Sequence, residues 1–421
     1  MLDSIPLPAM YRVRQKFDSS HIKDIPAKVR AEMRAFLAKN DLRDKRVCVT
    51  VGSRGISHNA EIVKAIVRAF QEAGALPFLI PAMGSHGGAT AEGQLAMIRH
   101  VGVDPDEIGV PCVSTMDADC IGALDDGTPL YCASDTMAAD GIFLLNKIKP
   151  HADFKGPYES GLIKMMVIGL GKHKGCSALH QLGFSRFAEL LPAAAKVVLE
   201  KAPILGGLAI VENAYDQPQI IEALGREEIF PREKELQVIA KNNVAVIKTD
   251  RLDTLIIDEI GKNISGEGMD PNVTGRPGSE LQEGFDRIRI GSIVIRDVTD
   301  VSDGNGAGIG MADIATHACV SKLNLGAMYT NSITAGILGP SRLPVILGSD
   351  LEAVKVSLRV SAGDHLGAPR VARIRNTVQL DEILISEALL PEFTARDDVQ
   401  LLGREDFCFD EQENLLPDRV M

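Results

Sequence analysis

The chain has 421 residues, 45% of them apolar, and a formal net charge of −12. That length suits two α/β domains with ordinary cores, and the acidic balance excludes a broad nucleic-acid surface, which needs a basic patch. No apolar run approaches the roughly 20 residues of a membrane-spanning helix, so neither a nucleic acid nor a membrane is expected as a partner.

In chain order, the N-terminus MLDSIPLPAMYRVRQKFDSS has neither an apolar signal core nor a cleavage pattern, so a cytoplasmic location is expected. Arg46 to Val51 reads as a buried strand followed by the turn Gly52-Ser53-Arg54-Gly55. A helix follows, with Ile62, Ile66 and Phe70 at i, i+4 and i+8 and Gly74 just past its end. Pro77 to Pro81 is a second strand; it opens into MGSHGGAT, where Thr90 can cap the next helix. Ile142 to Leu145 is a third strand, with His151 shortly after it. Phe184 to Lys201 reads as a helix that Pro192 should interrupt or bend. Leu208 to Val211 is a strand, Pro231 suits the first position of a helix reaching about Lys241, and Leu255 to Ile257 is a strand. The glycine- and proline-rich segment from Gly261 to Glu280 is the best domain boundary and is long enough to be a functional loop. Strands recur at Ile290 to Val298, Pro344 to Leu347 and Val378 to Ile385, and the acidic end DFCFDEQENLLPDRVM reads as a surface tail. The alternation of strands and helices predicts an α/β protein of two domains, 1–270 and 271–421. Each should have a mainly parallel sheet flanked by helices, with the active site in the cleft between them. In such sheets the loops after strand C-termini carry ligands, and Arg54, His86 and His151 all fall in those loops.

The richest chemistry lies in PHADFKGPYESGLIKMMVIGLGKHKGCSALH, residues 150–180. A lysine among small and apolar residues, Lys164, is a candidate for a paired ion, a depressed pKa or a covalent attachment. Imidazoles such as His151 and His180 transfer protons near neutral pH or bind a transition metal. In GSHGG the glycines let backbone approach a ligand, with His86 as a candidate acid or base. Arg54 in GSRG could hold a carboxylate or phosphate in bidentate fashion; the plainer reading is a surface ion pair. The glycines of DGNGAGIG miss the spacing of a dinucleotide fingerprint, and a tight glycine loop with Asp303 and Asp313 packing the domain interface suits them as well. Lys172, His173 and Lys174 read as a solvated loop. His21, His58, His100, His317 and His365 read as surface or satisfied core residues. None of the seven cysteines forms a CxxC pair, so reduced thiols are expected. Cys48 reads as a small core residue; for Cys176, burial outweighs a role as nucleophile or ligand.

Taken in order, GSRG, GSHGG, KPHADF, GLIKM and SALH resemble the nickel-pincer lactate racemase family over most of the first 200 residues. The resemblance implies a racemase or epimerase of a 2-hydroxy acid that works by reversible hydride transfer to a lysine-tethered nickel-pincer nucleotide. It makes Lys164 the attachment point, His180 the nickel ligand, His86 and His151 the acid–base pair on opposite faces of the substrate, and Arg54 a contact for the substrate carboxylate. Lys155 is the lesser candidate for the tether. GMDPNVTGR stands near the place of the family's second-domain motif, with Arg276 in the role of a lysine there and so a second candidate substrate contact. Two other readings compete. One is a metal-dependent hydrolase using His86, His151 and His180 with an aspartate; the other is a non-enzymatic protein that binds a nucleotide or sugar acid.

Overall fold

A computed structural model describes residues 2–53, 55–363 and 366–417. Arg54 and His365 lie outside the described residues. The chain divides into two compact units, residues 18–151 with 155–244, and residues 1–17 with 152–154 and 245–421. The division therefore falls at 17/18 and 244/245, whereas composition pointed to 270/271. Glycine and proline mark irregular backbone, but the loop after Gly261 is packed within its own unit: Gly261 N–H donates to the Gly268 carbonyl (2.9 Å), and Gly308 donates to Pro340 (2.7 Å).

The unit of residues 18–244 is built on a five-stranded sheet in the order Leu76–Pro81, Arg46–Val51, Gly141–Lys147, Ile204–Glu212, Pro218–Gly225. The first four strands are parallel and the last is antiparallel. Strands buried on both faces tolerate no alternation, which is why RVCVTV and GIFLLNK read as unbroken apolar runs. In the first, Arg46 is exposed at the strand's start, and Thr50 is buried and accepts the Leu145 N–H at 2.9 Å. The helix Asn59–Glu72 buries Ile62, Ile66 and Phe70, and Gly74 follows it in the left-handed region (φ +81°). Phe70 and Phe36 both meet Phe143 edge to face, at 5.3 and 5.0 Å. Thr90 caps the helix Ala91–His100 through its side chain, as its sequence position predicts. A two-stranded hairpin, Ala118–Ala123 with Pro129–Ala133, was not evident from the sequence. The helix Phe187–Lys201 continues through Pro192: the ring there removes one backbone bond, and the buried face of Leu190, Leu191, Ala194, Ala195 and Val198 outweighs it.

The other unit has an eight-stranded mixed sheet. Its order is Val345–Leu347, Ile314–Thr316, Arg289–Ile295, Arg251–Ile257, Val371–Ile374, Glu382–Ser386, Met10–Gln15, Val399–Arg404. The first five are parallel and the rest antiparallel. The N-terminal strand and the last strand pair with each other, so the chain's two ends are in one sheet. In the C-terminal stretch, residues 406–417 lie mostly at the surface, as expected, and are anchored at Leu415. Leu415 is buried, its N–H donates to Asp350 (2.8 Å) and its carbonyl accepts from Arg296 (2.6 Å). Arg373, on a central strand, is buried beside Asp258 at 2.8 and 3.0 Å and also donates to the Leu416 carbonyl. Among the described residues no helix is long and apolar enough to cross a membrane, and all seven cysteines are free thiols.

Candidate active site

One nearly continuous helical stretch carries two of the candidate residues. Leu162–Lys164 starts it, a π turn spans Met165–Gly169, and Lys172–His180 completes it. Its first N–H groups would be orphaned in the interior. Glu233, fully buried, takes them: its carboxylate accepts from Leu162 (2.8 Å) and Ile163 (3.2 Å). Burial pushes the Glu233 carboxyl up to about 8, against the pull of those two N–H groups. Gly169 lets the π turn lie against the preceding strand's exit, since a Cβ there would come within 2.8 Å of the Ala82 carbonyl. Lys164 is half-buried on this stretch.

His180, one helical turn after Cys176, is tethered to protein through Nδ1. Its Nδ1 lies 2.7 Å from the Cys176 carbonyl and 3.4 Å from the Cys176 thiol. A carbonyl can only accept, so Nδ1 carries the proton and Nε2 faces away from this tether. Burial lowers the His180 pKa, but the Cys176 thiol and carbonyl outweigh it and the net direction is up. Cys176 itself is buried, as expected; burial raises its pKa, and His180 with Ser85 brings it below its ordinary value. The His180 ring packs edge to face on Phe184 (5.5 Å) and Phe187 (5.1 Å), and Phe184 also meets the His151 ring at 5.8 Å.

His151 is positioned by a carboxylate behind it. Its N–H donates to Glu159 (2.7 Å), and the same carboxylate accepts from Gly156 N–H (3.0 Å) and pairs with Lys241 (2.6 Å). Lys155 donates to the His151 carbonyl (3.0 Å) and lies 3.5 Å from Glu159. Burial, then the nearby Lys164, Lys149, Lys155 and His180, holds the His151 imidazole well below its ordinary pKa. The Lys164 charge acts on both the His151 and His180 imidazoles, and both rings pack on Phe184. Three of the sequence candidates thus share one site.

His86 is exposed in the turn after Leu76–Pro81. Its Nδ1 lies 2.9 Å from the Met83 carbonyl, which again leaves Nε2 on the far side. The turn packs on the same helix as His180: Ser85 Oγ is 3.7 Å from Cys176 Sγ. Gly84, at φ +61°, could carry a Cβ only within 3.2 Å of Cys176.

Two polar residues of this neighbourhood were not foreseen. Lys172 is fully buried, where sequence suggested a solvated loop. Its ammonium donates to the Pro81 carbonyl (2.7 Å) and to Gln94 Oε1 (3.1 Å). Its flanking glycine and histidine suggest exposure; the acceptors that make burial tolerable lie 91 and 78 residues away in sequence. Glu233 had no signal either, because its N–H partners are about 70 residues distant.

Arg276 sits in the other unit, lining an open pocket of about 520 Å³ with Glu280, Phe285, Arg289 and Asp313. Its guanidinium is already paired with Asp313 (2.6 Å) and with the Met311 (3.1 Å) and Ile290 (2.9 Å) carbonyls. In DGNGAGIG, Gly308 at φ +114° packs on residues 267–268 within its own unit. His58 is exposed beside Glu61, His21 bonds the Ser19 carbonyl, and His100 and His317 are exposed. Among the described residues no group of three or more His, Cys, Asp and Glu side chains is arranged to hold a metal ion.

Residues 28–189 match the family described as lactate racemase N-terminal domain. That segment contains Arg54, His86, His151, Lys164 and His180. No curated protein matches the chain. Among solved structures, the lactate racemase apoprotein from Thermoanaerobacterium thermosaccharolyticum is similar with a TM-score of 0.54 at 12% identity, over 88% of this chain and 99% of that one. A Thermotoga maritima protein matches 64% of this chain and 70% of its own length, with 16% identity and a TM-score of 0.47, too low to argue from. Residues 28–189 are thus similar to the lactate racemase N-terminal domain, in keeping with the ordered motifs, and the chain shares the lactate racemase fold.

Proposed function

We propose that this protein is a racemase or epimerase of a 2-hydroxy acid. The observation that carries the reading is the convergence of His151, Lys164 and His180, with the His86 turn packed on the same helix. The residues fit a tethered nickel group. Lys164 would hold it covalently, and His180, with its proton fixed on Nδ1 by the Cys176 carbonyl, would offer Nε2 to the metal. When bound, a nickel-pincer nucleotide supplies the acceptor and donor for the hydride of the substrate's Cα–H.

The protein's own work is proton transfer and orientation. His151 is neutral near pH 7, because burial and its cationic neighbours oppose protonation. It can therefore accept the hydroxyl proton of one enantiomer as a general base. His86, its Nδ1 committed to Met83, would exchange a proton through Nε2 for the other enantiomer. Two bases are needed because the enantiomers present their hydroxyls on opposite sides. Arg54 is proposed to hold the carboxylate. Arg276 could do so only by exchanging Asp313 for the substrate.

The test is to produce the chain alongside the cofactor-making enzymes and measure intact mass and nickel. The loaded protein is then incubated with a panel of 2-hydroxy acids in heavy water and read by chiral chromatography. Inversion with little deuterium at Cα is expected, since the hydride returns internally. Full exchange would indicate proton abstraction at Cα, and an unmodified Lys164 without nickel would remove the proposal. Binding without turnover would favour a carrier protein.

A further inference from the structure

His86 stands on an exposed glycine turn, a poor platform for an acid–base group that must hold its geometry. The turn is pinned from beneath by Gln94, which is fully buried on the helix Ala91–His100. Gln94 Nε2 donates to the Gly84 carbonyl (2.9 Å) and to the His86 carbonyl (3.3 Å), two residues apart in the turn. An amide can serve both carbonyls only if its oxygen points the other way. That orientation is fixed by Lys172, whose ammonium has no acceptor capacity and donates to Gln94 Oε1. A second Lys172 bond, to the Pro81 carbonyl, ties it to the end of the strand from which the turn emerges.

The arrangement is costly. Both of these acceptors are neutral, and the ionisable groups around the ammonium are Asp135, Cys48 and Cys112. Burial pulls the Lys172 pKa down to about 8. Its backbone is also in the left-handed region, at φ +52°, which disfavours any non-glycine side chain. A buried methionine would fill the same volume without the cost of burying a charge. We infer that Lys172 and Gln94 are positioning residues: through one oriented amide, they hold the His86 turn in the geometry that fixes the imidazole's proton on Nδ1 and presents Nε2 for proton transfer. This rests on the reading of His86 as an acid–base group, but its geometric part can be tested without the cofactor.

The decisive variant is Gln94→Glu. It keeps the shape and gives Lys172 a carboxylate partner, so packing is preserved, but it removes both donors to the turn. The full chain, labelled with ¹⁵N-histidine, is titrated by NMR, with the His86 signals assigned from His86→Gln. In the parent, His86 should show the Nδ1–H tautomer. In Gln94→Glu and Lys172→Met, it should lose that bias and its titration midpoint should move. In cofactor-loaded protein, kcat should fall about tenfold to a hundredfold with little change in KM. Identical His86 shifts and midpoint in parent and Gln94→Glu would overturn the inference, whatever Lys172→Met does to folding. Altered His86 shifts in a parent protein that proves not to be a racemase would leave the positioning claim standing and remove only the reading it was built on.

Discussion

The stretch 162–180 and the segment around Arg276 hold similar side chains in opposite conditions. His180 and His86 are each tied to protein through Nδ1, with Nε2 left on the far side. Arg276 is bonded through both terminal nitrogens, to Asp313 and to backbone carbonyls. The difference separates a group held for use from a group used as a brace. A ring tethered through Nδ1 turns Nε2 away from that tether; a guanidinium bonded through both terminal nitrogens is fixed in place.

The largest effect should come from the imidazoles. In cofactor-loaded protein, His151→Asn and His86→Asn should each lower the racemisation rate about 10²- to 10⁴-fold, the usual contribution of a positioned acid or base. Cofactor attachment, followed by intact mass, should survive. If either variant keeps parental turnover, the contrast between tethered-for-use and braced residues fails at its strongest point. The next effect sharpens the comparison in stability. Glu233 has a folded pKa near 8, above the ordinary glutamate value of 4.5. The folded state therefore binds more protons between those values. The stabilisation is complete below the ordinary value and is lost as pH rises through about 8, on the order of a few kcal/mol. Denaturant unfolding from pH 5 to 8.5 should show this decline in the parent and a flatter profile in Glu233→Gln. Lys172 has the opposite sign. Its folded pKa, near 8, lies below the ordinary 10.5. Stability should thus increase as pH rises from about 8 towards 10.5, on the order of a couple of kcal/mol. Lys172→Met should remove that rise.

Much of the fold was legible where burial is local. RVCVTV and LPFLIP are strands because both faces are covered, and the helix at 59–72 shows its buried face in its own spacing. Legibility failed where a charge is neutralised from afar. Arg373 makes VARI look like a broken strand, yet Asp258, 115 residues away, lets it sit in the middle of a sheet. MYRVRQ is a strand for a similar reason: Glu405, 393 residues on, receives Arg12. The candidate site followed the same rule. His86, His151, Lys164 and His180 announced themselves by order and by glycine neighbours. Lys172 and Glu233 act across about 70 to 90 residues, separations that no local pattern reports; Gln94 and Glu159 lie within ten residues of the backbone they hold, but nothing in their neighbours marks them.

The smallest effect tests the braced side of the comparison. The Arg276–Asp313 pair is partly exposed, so it contributes no more than about 1 kcal/mol. Asp313→Asn should cost little in stability, because the carbonyls of Met311 and Ile290 still hold the guanidinium. Its value lies in what it does to substrate binding. If Arg276 serves a carboxylate by exchanging partners, removing the competing carboxylate should lower KM severalfold and leave kcat unchanged, and Arg276→Gln should reverse the gain. If Arg276 is only a brace, both variants should leave KM where it was. An unchanged KM would confine substrate recognition to the unit that carries the histidines, with Arg54 as the remaining candidate for the anion.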